Sequence, residues 1–217
     1  MTHIYYTFIN EKRHSQLLKE FSKDFPENCQ NKIKNFRRWQ DAQLSILGRY
    51  LLKYGLKSMG KKLQPNELKF NSNSKPYLEA GNLEFNISHS GNIVVCAISD
   101  QFEIGIDIEI LKDIDITDFK GQMTEYEFNK VIYANDITSS FFDYWTQKEA
   151  VLKAHGSGII DFLQSFEIIE NVTTLNKSCF FIKELLVDDG YKCHIAFKDE
   201  IDANISGPEY INSLKLI

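Results

Sequence analysis

Residues 103–110 read EIGIDIEI, and this stretch constrains the fold more than any other. Ile104, Ile106, Ile108 and Ile110 alternate with Glu103, Gly105, Asp107 and Glu109. Strict alternation over this length specifies a β-strand with one buried face, because successive side chains leave a strand on opposite sides. It also puts Asp107 and Glu109 on one side, roughly 6–7 Å apart along the chain. Two readings follow. The ordinary one is a solvated outer face of an antiparallel sheet. The other is a cation held between the carboxylates, with Gly105 leaving room for a ligand. Alone, the stretch favours the ordinary reading, so the choice falls to the rest of the chain.

Such a strand needs partners and a covering layer. The 217 residues are 43% hydrophobic, 25% charged and 13% aromatic, enough for one large domain or two small lobes. Residues 3–9 read as a strand. After Pro26 a helical pattern runs from about Asn28 to Lys57, with apolar positions at Ile33, Phe36, Leu44, Leu47, Leu51 and Tyr54. Residues 61–82, with Pro65, Pro76 and Gly81, read as loop with short strands. Two strands, 83–88 and 92–98, flank a turn at Ser90-Gly91-Asn92. Helices are predicted at about 124–134 and from caps at Thr138, Ser139 and Ser140 to about His155, where Gly156-Ser157-Gly158 stops the second. Strand-like runs at 178–187 and 191–197 flank Asp189-Gly190, a hairpin signal. The order is strand, long helix, strands, then strand, helices, strands. It predicts an α+β fold of two similar lobes, 1–102 and 103–217.

The net charge of −5 gives no support for nucleic-acid binding, which leaves a basic footprint. Cys29, Cys96, Cys179 and Cys193 form no CxxC and no zinc spacing. The start, MTHIYYTFIN, lacks the basic-then-apolar pattern of a secretory signal. No apolar run approaches the ~20 residues of a membrane span. The expectation is a cytoplasmic protein with reduced thiols.

Three further stretches carry chemistry. In WTQKEAVLK, Trp145, Lys148, Glu149 and Leu152 share one helical face, and Glu149 and Lys153 are four apart. A face with large apolar groups packs inward, and an inward carboxylate needs a cation. Asp107, Glu109 and Glu149 together would make a hard-oxygen site suited to Mg²⁺ and phosphates rather than zinc. Lys148 and Lys153 beside it would neutralise phosphate oxygens. In FNISHSGN, 85–92, the hydroxyls of Ser88 and Ser90, the His89 imidazole and the turn amides can bind phosphate. In SKPYL, 74–78, Lys75 precedes Pro76 and is held extended. No P-loop and no GxSxG is present.

Lys75-Pro76, FNISHS at 85–90, GIDIE at 105–109 and WTQKEAVLK at 145–153, in this order, resemble the motifs of the 4′-phosphopantetheinyl transferases of the two-lobed, Sfp type. The resemblance implies a pseudo-dimer of two α+β lobes with coenzyme A in the cleft between them. It implies a monomer that transfers phosphopantetheine from coenzyme A to a serine of an apo acyl or peptidyl carrier protein, releasing 3′,5′-ADP. The acidic charge balance and the lack of a long apolar run lead us to expect no nucleic-acid or membrane partner. Asp107, Glu109 and Glu149 would bind Mg²⁺, or Mn²⁺, with the pyrophosphate. Ser88, His89 and Lys75 would contact the coenzyme A phosphates, and Lys153 the phosphate under attack. Glu149 would be the general base. The segment MTEYEF, 123–128, resembles the carrier-facing segment, with Met123 and Phe128 as contacts. One departure stands out. After DAQ the family has a basic residue, and this chain has Leu44, with Arg49 further on; Lys32, Lys34 or Arg38 are candidates to substitute. Two rivals use the same residues: a Mg²⁺-dependent hydrolase of coenzyme A, and a non-catalytic binding protein.

Overall fold

The computed structural model describes residues 1–64, 67–71, 75–79, 83–156, 163–201 and 203–217, apart from the Asn28 side chain. Pro65, Ser74, Gly81, Ser157 and Gly158, used in the sequence reading, lie outside the described residues. The chain is α+β and forms two compact units, Met1–Gln101 with Ile205–Ile217, and Phe102–Asn204.

The first unit runs β1 (Thr2–Phe8), α1 (His14–Asp24), α2 (Glu27–Lys34), α3 (Trp39–Ser58), β2 (Leu68–Phe70), β3 (Pro76–Leu78), β4 (Glu84–Ser90) and β5 (Ile93–Ser99). β5, IVVCAIS, is buried along its whole length, as an unbroken apolar run requires of a central strand. β1 and β4 pair with it antiparallel. α3 packs on β5 and buries Leu47, Tyr50, Leu51 and Leu52 completely. Each such side chain contributes about 1.5–3 kcal/mol relative to exposure. The expected single helix from Asn28 to Lys57 is instead α2 and α3. Arg38 is extended, with φ −103° and ψ 134°, and the break lets both Ile33 and Leu44 enter one core. α1 was not anticipated; Leu17 and Phe21, one turn apart, are its buried signal.

The remaining element of this unit is β10 (Ile205–Tyr210), which adds to β1 in parallel. The sequence reading had placed this tail in the second lobe. β1 offers an open edge, and β10 fills it, so residues 205–217 close the first unit. Pro208 fits such an edge strand.

The second unit contains β6 (Ile104–Ile110), α4 (Glu125–Ile132), α5 (Ile137–His155), β7 (Val172–Leu175), β8 (Ser178–Glu184) and β9 (Tyr191–Lys198). Its sheet is antiparallel, in the order β6-β9-β8-β7. β8 and β9 pair as Asp189-Gly190 foretold, through the longer loop 185–190 rather than a two-residue turn. α5 lies on β6 and β9. Its N-cap is Asp136, whose carboxylate accepts the Ser139 N–H at 2.9 Å, rather than Thr138, Ser139 or Ser140. Gly156 closes it with φ +78°, a left-handed residue. Among the described residues no helix is long and apolar enough to cross a membrane.

Candidate functional site

β6 presents no solvated outer face from Ile104 to Ile108, where it is buried on both sides. Gly105 explains this. A Cβ there would collide with Ala150 O and Ala154 N, so the glycine admits the backbone of α5 rather than a ligand. This contact sets the site. Asp107, two residues on and on the same face, meets the α5 side chains one turn apart, Glu149 and Lys153.

Asp107 and Glu149 are each 4% exposed. Lys153 Nζ lies 2.5 Å from Asp107 Oδ1 and 3.3 Å from Ile106 O. Glu149 Oε1 is buried without a hydrogen-bond partner among the described residues. Burial, then the charge of Asp107, then that of Glu109, push the Glu149 carboxyl up to about 7, with Lys153 acting the other way. Glu109 stands two residues beyond Asp107 on the same face of β6, and its charge acts on Glu149. A divalent ion with oxygen ligands fits that donor set and that orphaned oxygen.

Lys148 is a different case. It is 0% exposed, with Nζ 2.6 Å from Glu127 Oε1 and hydrogen bonds to Leu163 O and Phe166 O. All three ammonium hydrogens are engaged, so the expected phosphate contact is corrected: Lys148 ties α5 to α4. Glu127 is held from the other side by its capping box with Thr124. Met123 is likewise buried, in a cluster with Ile116, Val131, Phe141 and Phe142, and offers no docking surface. Phe128 is half-buried against that cluster, whereas Tyr126 and Tyr133 are exposed.

In the first unit, alternation along β4 separates Ser88 from His89. His89 shares a face with Phe85 and Ile87 and lines a cavity of about 210 Å³; Ser88 is buried on the opposite face. Lys32, Ser45, Arg49, Phe70 and Pro76 complete much of the wall. Lys75 ends the loop before β3, its N–H bonded to Asn71 Oδ1 at 2.9 Å. Leu44 is in the core, and Lys34 and Arg38 are exposed and do not line the cavity. Arg49 does. Its Nη1 donates to Ser45 O and Oγ at 2.8 and 2.7 Å, and its Nε is buried without a hydrogen-bond partner. It has no carboxylate partner among the described residues. Lys32 Nζ stands 5.0 Å over the Phe70 ring. An apolar slot edged by Lys32, Arg49 and His89 is suited to an anion carrying a flat or apolar group. Sequence reasoning noted Arg49 without assigning it; its spacing of four from Ser45 is the signal that it lies one turn along the same face.

The second unit thus carries buried carboxylates beside a lysine, and the first a slot edged by cations. Residues 103–203 match the family model described as the 4′-phosphopantetheinyl transferase superfamily. Residues 14–101 match the one described as 4′-phosphopantetheinyl transferase, N-terminal. The chain is 37% identical over 166 residues to the 4′-phosphopantetheinyl transferase gsp of Aneurinibacillus migulanus, covering 71% of this chain and 68% of that one. It is 35% identical to HetI of Nostoc sp., covering 79% and 72%, and 28% identical to Sfp of Bacillus subtilis, covering 85% of each. The chain belongs to the 4′-phosphopantetheinyl transferase family, a family of transferases.

Proposed function

We propose that this enzyme transfers the 4′-phosphopantetheine arm of coenzyme A to a serine of an apo acyl or peptidyl carrier protein, with Mg²⁺, releasing 3′,5′-ADP. One observation carries the reading. The Gly105 contact brings the buried Asp107 and Glu149 together with Lys153, and leaves Glu149 Oε1 without a hydrogen-bond partner among the described residues.

In this reading Asp107, Glu109 and Glu149 hold the ion. Mg²⁺, when bound, would supply Lewis-acid stabilisation of the pyrophosphate oxygens. Lys153 supplies a positive charge beside the phosphate under attack. The serine oxygen forms a bond to the phosphorus bearing the pantetheine arm. The bond from that phosphorus to the bridging oxygen breaks, and the electron pair leaves with 3′,5′-ADP. The hydroxyl proton passes to a base, and the Glu149 carboxylate, buried beside Asp107 and Lys153, takes that role. Arg49, Lys32 and His89 bind the nucleotide phosphate in the first unit, with Arg49 taking the place left by Leu44. Lys75, and Ser88 from its separate face of β4, serve other phosphate oxygens.

The test is intact-mass analysis of an apo carrier protein incubated with the chain, coenzyme A and Mg²⁺, with an EDTA control. The expected result is gain of one phosphopantetheine arm, abolished by EDTA. Free phosphopantetheine with an unmodified carrier would mean hydrolysis, and coenzyme A binding without turnover would mean a binding protein. Either outcome overturns the reading.

A further inference from the structure

β9 carries a group that the proposed transfer does not use. His194 stands opposite Asp107 on β6 and opposite Glu184 on β8, and it is 2% exposed. Its Nδ1 lies 2.8 Å from Thr146 Oγ1 on α5. The Thr146 hydroxyl stands 2.7 Å from Phe142 O, and we assign its proton to that carbonyl, so that its oxygen accepts from His194 Nδ1–H. The proton is thereby placed on Nδ1 and the lone pair on Nε2. That lone pair meets Asp143 Oδ1 at 3.5 Å, and Nε2 has no hydrogen bond among the described residues. Two acceptors therefore face each other across a gap that suits a cation.

Ligand atoms of Asp143, Glu184 and His194 all lie within 4.8 Å of one another. The 3.5 Å between Asp143 and His194 is close to the ~3.4 Å edge of a tetrahedron with ~2.1 Å metal–ligand bonds. Thr146 fixes the imidazole in the way an outer-shell partner does in metal sites. Lys192 currently balances the acids, with Nζ 2.7 Å from Glu184 Oε1 and 3.9 Å from Asp143 Oδ1. Its flexible stem allows it to leave.

We propose that Asp143, Glu184 and His194 form a second metal site, distinct from the Asp107, Glu109 and Glu149 cluster, that takes a Zn²⁺-type ion and releases Lys192 to solvent. One nitrogen and two carboxylates with an open position suit Zn²⁺, and the nitrogen donor disfavours Mg²⁺. The site does not depend on the transfer reading.

The experiment is calorimetric titration of the EDTA-stripped, desalted chain with Zn²⁺ in excess Mg²⁺, with Co²⁺ as a spectroscopic probe of coordination. The expected result is one bound Zn²⁺ and the visible absorption of a low-coordinate cobalt site. Glu184→Gln, at a side chain 43% exposed and safe for folding, weakens binding at least ~10-fold, as does His194→Gln. Lys192→Gln strengthens it, and Glu149→Gln leaves it unchanged. No Zn²⁺ binding, binding insensitive to Glu184→Gln, or binding lost with Glu149→Gln would each overturn the proposal.

Discussion

In the metal-free protein the Glu149 carboxyl is raised from 4.5 to about 7, chiefly by burial and by Asp107. The folded chain thus holds this proton more tightly than the unfolded one. The associated stability is fully present below pH 4.5 and is lost as pH rises through 7, on the order of 3 kcal/mol in all. Glu149→Gln therefore shows a smaller fall in urea midpoint than the parent between pH 5 and 8 in EDTA. Equal falls would remove Glu149 from the acidic cluster. Arg49 is the converse case, a cation 8% exposed with no carboxylate beside it among the described residues. Arg49→Met leaves the melting temperature equal or higher, because a buried charge without a counter-charge is costly, while the KM for coenzyme A rises at least ~10-fold. An unchanged KM would disconnect the cavity from the nucleotide. At this scale the acids were readable in advance: period 2 put Asp107 with Glu109, and period 3.6 put Glu149 with Lys153. Arg49 and His194 were not assigned, because their meaning lies in what stands across from them.

The elements of the site are joined by one close approach, β6 to α5 at Gly105. Gly105→Ala drives a methyl into the α5 backbone and is expected to cost at least ~2 kcal/mol, read as a lower urea midpoint together with loss of transfer activity. A stable, active variant would show that α5 can shift without disturbing the cluster. The strand and helix were both legible from periodicity, but the purpose of the glycine was not. A glycine opposite carboxylates looks like space for a ligand until the covering helix is seen. Lys148 misled for the same reason. Its helical face was read correctly as inward, yet only the packing of α4 shows that Glu127 claims the ammonium.

For the whole molecule, the tail 205–217 completes the first unit although it is last in sequence. Ile211 and Leu216 are 2% and 7% exposed in the core built by α1, α3 and β5. Deleting 205–217 exposes the β1 edge and this core, and is expected to lower the urea midpoint and promote aggregation, measured by light scattering. Retention of an equally stable chain that does not aggregate would mean that β10 is dispensable. Local pattern by itself determined the strand at 103–110, the helix that ends near His155, the central hairpin and the shared faces of the acids, because periodicity is a property of neighbouring residues. Tertiary structure alone decided the break between α2 and α3, the return of β10 to β1, the burial of Lys148 and Met123, and the meeting of His194 with Asp143 and Glu184. Each of those depends on which distant surface an element covers, and burial energy shared between remote segments leaves no periodic trace in either one.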